Sequence, residues 1–326
     1  MTVFIFSGWK SHKIAMRIGI CLMCAALILI LAFSASAATR KRTSTRTVKK
    51  HHVSTPVSSV ISHDPYIGAI VVDAATGRVI FEDNADAVGY PASVVKLITM
   101  LIIMEKVQQG TVKLTDRVTV TAESVNVGGS QANLRNKESF SIDDLLYALM
   151  LKSANDAAAA LAIHVAGSKA AFIELMNRKA KELGMTSTHF NSVNGLPPPR
   201  GITPDQATAR DLSLLARAVL KYPDALRYTS TKFYAFRKGE FDMNNHNHLL
   251  GVVEGCDGLK TGYFSKAGFS IVATAQRNNG RLIAVVLGSR YRQTRDRQAR
   301  SLLAENFRSL SPPYAQAPAN AITRQN

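Results

Sequence analysis

Residues 269–287 read FSIVATAQRNNGRLIAVVL. Two apolar runs, Phe269–Arg277 and Arg281–Leu287, flank Asn278-Asn279-Gly280, and Asn and Gly tolerate the backbone of a tight hairpin turn. Toward the other end of the sequence, Ala69–Asp73 (AIVVD) and Arg78–Phe81 (RVIF) flank Ala-Ala-Thr-Gly, a second hairpin signal. The intervening stretch reads as helical. Ser141-Ile-Asp-Asp144 and Thr208-Ala-Arg-Asp211 have the form of an N-cap with an acid three residues on. Gly184 ends an amphipathic run that begins at Ser168, and Arg295–Phe307 forms a last helix. Strands at both ends with helices between predict a terminal antiparallel sheet flanked by helices. The chain's two ends close that sheet, and an all-α lobe is inserted, an α+β or mixed α/β plan.

The charge is unevenly spread. The 326 residues carry a net +17, yet residues 1–37 hold three bases and no acid, and residues 38–52 hold six bases and no acid. Everything after His52 therefore keeps only +8. Lys10, Lys13 and Arg17 precede an apolar run, Ile18–Phe33, followed by Ala35-Ser36-Ala37, the order of an export leader with a small-residue cleavage site. That run has 16 residues, fewer than the ~20 that span a bilayer. Cleavage near Ala38 and export to the periplasm or the extracellular wall face are expected; the alternative is retention as an anchor. Cys21 and Cys24 leave with the leader, so Cys256 has no internal disulfide partner and reads as a small packed residue.

The chain then divides into a signal peptide (1–37), a basic, Ser/Thr-rich disordered linker (38–60), a body (61–310) and a Pro-containing flexible tail (311–326). An exported chain does not meet nucleic acid, so residues 40–52 are expected to be a solvated spacer or to associate weakly with anionic envelope polymers or lipids.

Ser93-Val-Val-Lys96 opens the run SVVKLITMLIIMEKV. On a helix, positions i and i+3 share a face, so the Ser93 hydroxyl and the Lys96 amine can meet. A serine hydroxyl is a weak nucleophile until a base takes its proton. A lysine serves as that base when burial lowers its pKa, and Lys96 sits among Val, Leu and Ile. The helix start also offers unpaired backbone N–H groups to an oxyanion. Two more motifs follow in order: Ser153-Ala-Asn155, 60 residues on, and Lys260-Thr261-Gly262, a further 107.

This set resembles the S-x-x-K, S-D-N and K-T-G signature of β-lactamases and penicillin-binding proteins. From Tyr66 to about Leu310 the chain is similar to the low-molecular-mass serine D-alanyl-D-alanine carboxypeptidases. Supporting stretches include AIVVDAATGRVIFEDNAD, PASVVKLITM, SIDDLLYALMLKSANDAAAALAIHVAGS, NHNHLL and DGLKTGYFSKAGFSIVATAQRNNGRLIAVVLG. The resemblance implies a transpeptidase-like fold and no cofactor. It implies peptidoglycan stem peptides as substrates and β-lactam antibiotics as covalent inhibitors. Carried onto this sequence, Ser93 attacks the carbonyl between the terminal D-alanines and Lys96 accepts its proton. Ser153 relays a proton to the leaving amine, and Asn155 bonds the substrate backbone. Lys260 and Thr261 hold the terminal carboxylate, Gly262 permits a close approach, and the backbone N–H groups of Ser93 and Tyr263 form the oxyanion hole.

Three features depart from the family pattern. Tyr263 stands where relatives often carry His, Ala207 stands where Ser is usual, and the C-terminal β-domain and amphipathic anchor of several relatives are not expected here. Glu174 and Asn177 could be mistaken for a β-lactamase deacylating pair but read as structural. His246-Asn-His248 suggests a metal, yet zinc needs three or four ligands and no third has a recognisable spacing, so no metal is expected. A D,D-endopeptidase, a β-lactamase and a catalytically idle peptidoglycan-binding module remain as alternatives.

Overall fold

The computed structural model describes residues 62–310 apart from Asn126, Arg200, Asn279 and Ser309. The signal peptide, the basic linker and the tail expected from the sequence lie outside the described residues. In chain order come β1 (Gly68–Asp73), β2 (Val79–Asp83), a 3-10 turn (Ala92–Val95), α1 (Lys96–Gln108), β3 (Arg117–Thr119) and β4 (Ser139–Ser141). Next are α2 (Ile142–Tyr147), a π-helical turn (Ala148–Lys152), α3 (Asn155–Ala166), α4 (Lys169–Glu182), α5 (Ala209–Val219) and α6 (Pro223–Ser230). The chain finishes with β5 (Phe233–Phe236), β6 (Phe241–Asn244), β7 (Cys256–Phe264), β8 (Gly268–Arg277), β9 (Gly280–Ser289) and α7 (Arg292–Phe307).

Both expected hairpins form, β1 with β2 and β8 with β9. They join through β1 and β9, antiparallel from Gly68 opposite Leu287 to Asp73 opposite Leu282, in a sheet of order β2-β1-β9-β8-β7. Strand β9 is apolar at nearly every position because both faces are covered. Ile283, Val285 and Leu287 belong to the core shared with the helices α1 to α6, whereas Leu282, Ala284 and Val286 pack with Ala299, Leu302, Leu303 and Phe307 of α7. The helical segment between β2 and β7 is the inserted lobe, and β7 is left as an edge strand.

The caps expected at Ser141 and Thr208 are in place, and Ser168, where the amphipathic run begins, adds a third. The side chains of Ser141, Ser168 and Thr208 accept from the backbone N–H of Asp144, Ala171 and Asp211, each satisfying a first-turn donor. Two short ribbons, β3–β4 and β5–β6, carry no sequence period long enough to read. The second braces α2, just before the π-helical turn: Tyr234 stacks on Tyr147 with centroids 4.0 Å apart and donates its hydroxyl to Asp144 at 2.6 Å.

Candidate active site

Ser93 lies in the 3-10 turn and Lys96 is the first residue of α1. Ala92, just before the nucleophile, has φ of +49°, a strained conformation for a residue with a side chain. The Lys96 side chain is fully buried, and its Nζ stands 2.9 Å from Ser93 Oγ, 2.7 Å from Asn155 Oδ1 and 2.6 Å from the carbonyl oxygen of Asn194. Burial, and then the charge of Lys260, hold this amine well below the ordinary lysine value, against the pull of Asp205 and Asp156. A neutral amine has two hydrogens and one lone pair. Neither Asn155 Oδ1 nor the Asn194 carbonyl can donate, so they take the two hydrogens. The lone pair is left for the Ser93 hydroxyl. The geometry thus selects the orientation that a general base needs.

Each partner of Lys96 is itself held. Asn155 Nδ2 donates to the Gly128 carbonyl at 2.9 Å, and the neighbouring Asp156, wholly buried, accepts from the backbone N–H of Ala132, Leu134 and Ala157. The Asn194 carbonyl is aimed by a second relay. Asp205 accepts from Asn191 N, Ser192 N and Ser192 Oγ, and Ser192 Oγ accepts from Gly195 N at 2.8 Å. Burial raises the Asp205 carboxyl above its ordinary value.

Two glycines bring the segments together. A Cβ on Gly195, whose φ is +80°, would sit 2.0 Å from the Ala92 carbonyl oxygen. A Cβ on Gly262 would sit 2.4 Å from the Pro91 carbonyl oxygen and 3.1 Å from Ser93 N. The absence of a side chain at Gly262 thus lets strand β7 approach the nucleophile turn closely. Gly195→Ala is expected to displace the turn and slow acylation by a fluorescent penicillin at least tenfold. Stopped-time labelling checks this; an unchanged rate would mean that the turn relaxes around a methyl group.

The open cleft, about 310 Å³, is lined by Ser93, Ser130, Ser153, His246, His248, Thr261, Gly262, Tyr263, Phe269, Arg292 and Arg295. Ser153 ends the π-helical turn in a left-handed conformation with φ of +59°, and its buried Oγ has no partner among the described residues. A buried hydroxyl without a partner is costly, and this one is presented to the cleft. Tyr263 is 55% exposed, its ring stacked on Phe269 at 4.1 Å. Lys96, Asn155 and Lys260 are buried behind the lining. Lys260 Nζ donates to the Thr261 carbonyl at 3.0 Å, and burial followed by the charge of Arg295 pushes its pKa down to about 7.

Sequence reasoning missed Arg295 and Arg292. Arg295 is 3% exposed. Its Nε and Nη2 donate to Asp296 at 2.9 and 2.6 Å, and its Nη1 donates to the Ser270 carbonyl at 3.4 Å. A signal existed: Arg295 falls on the same helical face as Ala299, Leu302 and Leu303, where a charge is out of place. His246 also faces the cleft, with its pKa pushed down to about 4 by burial and then by Lys260, Lys152, His248 and Lys96. Among the described residues no three His, Cys, Asp or Glu side chains gather as metal ligands. Asn177 closes on the Phe190 backbone in both directions, and Glu174 is exposed on α4, so both are structural. Cys256 is half-buried and forms no disulfide among the described residues.

The sequence model of the peptidase S11 family, described as D-alanyl-D-alanine carboxypeptidase, matches residues 61–291. The chain belongs to this D-alanyl-D-alanine carboxypeptidase family. It is 33% identical over 251 residues to D-alanyl-D-alanine carboxypeptidase DacF of Bacillus subtilis, covering 76% of this chain and 63% of that one. It is 37% identical over 247 residues to DacC of Escherichia coli, covering 73% and 60%. The chain thus spans under two thirds of the length of these curated carboxypeptidases. Among solved structures, penicillin-binding protein D2 of Listeria monocytogenes in its ampicillin-bound form superposes with a TM-score of 0.67 at 32% identity, over 74% of this chain and 96% of that one. The transpeptidase-like fold expected for the family is the fold observed.

Proposed function

We propose that this chain is a serine D-alanyl-D-alanine carboxypeptidase that removes the terminal D-alanine from peptidoglycan stem peptides through an acyl-enzyme on Ser93. The observation that carries the reading is the Lys96 amine, buried and held by two carbonyl oxygens, with its remaining valence at Ser93 Oγ. In this reading Ser93 Oγ attacks the carbonyl carbon of the penultimate D-alanine as its proton passes to Lys96. The tetrahedral oxyanion takes hydrogen bonds from the backbone N–H groups of Ser93 and Tyr263. The C–N bond breaks with a proton delivered to the leaving nitrogen by the Ser153 hydroxyl, unpartnered among the described residues, which in turn regains one from the Lys96 ammonium. Water then hydrolyses the ester and restores Ser93.

The terminal carboxylate is assigned to Thr261, Lys260 and Arg295, with Arg292 at the mouth of the cleft. Asn155 keeps one Nδ2 hydrogen beyond its bond to Gly128, which is available for the substrate backbone. Export, with cleavage near Ala38, belongs to the same proposal, because the substrate lies outside the cytoplasm.

Mass spectrometry of the full chain incubated with a soluble pentapeptide and with a cross-linked dimer tests the reading. Loss of one D-alanine from the pentapeptide is expected; cleavage of the dimer alone would favour the endopeptidase. Penicillin should acylate Ser93, and the adduct should persist for minutes or longer. The cleft lining contains no carboxylate among the described residues, and the opened antibiotic keeps its leaving amine tethered at the carbonyl. Release of hydrolysed penicillin within seconds would make the protein a β-lactamase.

A further inference from the structure

Residues 62–310 carry a net charge of +7, and +4 of it falls in residues 289–310, where six arginines meet two acids. One of those acids, Asp296, is held by Arg295. Elsewhere Arg210, Arg227, Arg237 and Arg281 each hold a carboxylate, whereas the exposed Arg78, Arg135 and Arg178 hold none among the described residues but are scattered over the fold. Arg290, Arg292, Arg297 and Arg300 are exposed, and none of them has a carboxylate partner among the described residues. Local structure does not ask for them, since acids and not arginines are favoured in the first turn of a helix, and α7 has none there. Arg292 lines the catalytic cleft on the side of Ala299 and Leu303, and Arg300 stands about 12 Å further along the axis and about 80° round it, at 1.5 Å and 100° per residue. Arg297 and Arg300, three residues apart, share a face turned away from the packed side of Ala299, Leu302 and Leu303. The ring of Tyr291 lies 5.5 Å from the Arg290 guanidinium just before this helix.

We infer that the arginines exposed around α7, with Arg292 at the cleft and Arg297 and Arg300 on the outer face, are a docking surface for the peptidoglycan polymer. They bind carboxylates of stem peptides next to the one in the cleft. A single exposed arginine–carboxylate contact is weak, but a strand carrying many stems engages several at once, and the linkage raises the effective concentration of the scissile peptide. The inference rests on the reading of the cleft as a stem-peptide site, and its readout is separate from catalysis.

Full-length wild type and an Arg297→Glu/Arg300→Glu variant are to be sedimented with purified sacculi at low and at high salt. At low salt the variant should be retained at least about tenfold less, because each reversal removes an attraction and adds a repulsion. The difference should vanish in high salt, where charges more than ~3 Å apart are screened. Soluble pentapeptide turnover and fluorescent-penicillin labelling should stay within about twofold, which also shows that the variant is folded. Sacculi stripped of their peptides by an amidase should retain the wild type no better than the variant. Equal retention of the two proteins on intact sacculi overturns the inference. So does undiminished wild-type binding to stripped glycan, or binding to phosphatidylglycerol vesicles in place of sacculi. A wild type that docks on sacculi but leaves soluble pentapeptide intact would instead refute the catalytic reading.

Discussion

Lys96→Met is expected to lose acylation by penicillin and by pentapeptide nearly as completely as Ser93→Ala, by about 10³-fold or more. A positioned general base contributes roughly 10²–10⁴-fold, and two groups that act as one unit fail together when either is removed. Methionine fills a similar volume and introduces no charge, so burial at position 96 is kept while the lone pair facing Ser93 Oγ is lost. The double variant should be no slower than either single one. First-order labelling rates with a fluorescent penicillin, alongside a thermal melt for each variant, check this. A Lys96→Met protein that still acylates within tenfold of wild type would assign the base to another group.

The second large effect concerns the substrate's terminal carboxylate. Lys260→Met, or amidation of the peptide's C-terminus, should each lower kcat/KM by roughly 10²–10³, because breaking a desolvated charge pair costs about 3–5 kcal/mol. The two changes should not multiply, since the second finds the pair already broken. The pH profile carries a sign of its own. Lys260, with its pKa pushed down to about 7, is charged below that value and neutral above it. For the free enzyme, kcat/KM toward the acidic peptide should therefore fall as pH rises through about 7. The amidated peptide should show no such falling limb. Independent, multiplicative losses, or the same limb with both peptides, would mean that the carboxylate is read by Arg295 and Thr261 without Lys260.

Much of this architecture was legible in the sequence for local reasons. Asn278 and Gly280 announce one hairpin, Ser141, Ser168 and Thr208 announce helix starts, and the spacing of Ser93 and Lys96 fixes their shared face whether the turn is 3-10 or α. Features made by packing at a distance were not legible. Nothing near residue 96 says that the carbonyl of Asn194 will take one of its hydrogens, or that Asp205 will aim that carbonyl through Ser192. The need for closeness at Gly262 is legible in its motif, but that the Pro91 carbonyl is one of the neighbours it admits is not. Arg295 was passed over because it begins a helix recognised only by its apolar stripe, and the stripe itself should have flagged the arginine within it.

The pairing of β1 with β9 sets the order in which the molecule can come together. Gly68 meets Leu287 across roughly 220 intervening residues, and closing so long a loop forfeits chain entropy before any contact rewards it. A topology dominated by such distant pairings folds slowly, on the scale of milliseconds to seconds. Ser93 and Lys96 are made early, but the strand carrying Lys260 and Gly262 is seated against them only after β8 and β9 exist to hold it. Strand β7 is paired beside the nucleophile only once the last hairpin has been delivered, so a truncated product that ends before β8 is expected to take up penicillin label far more slowly than the full chain.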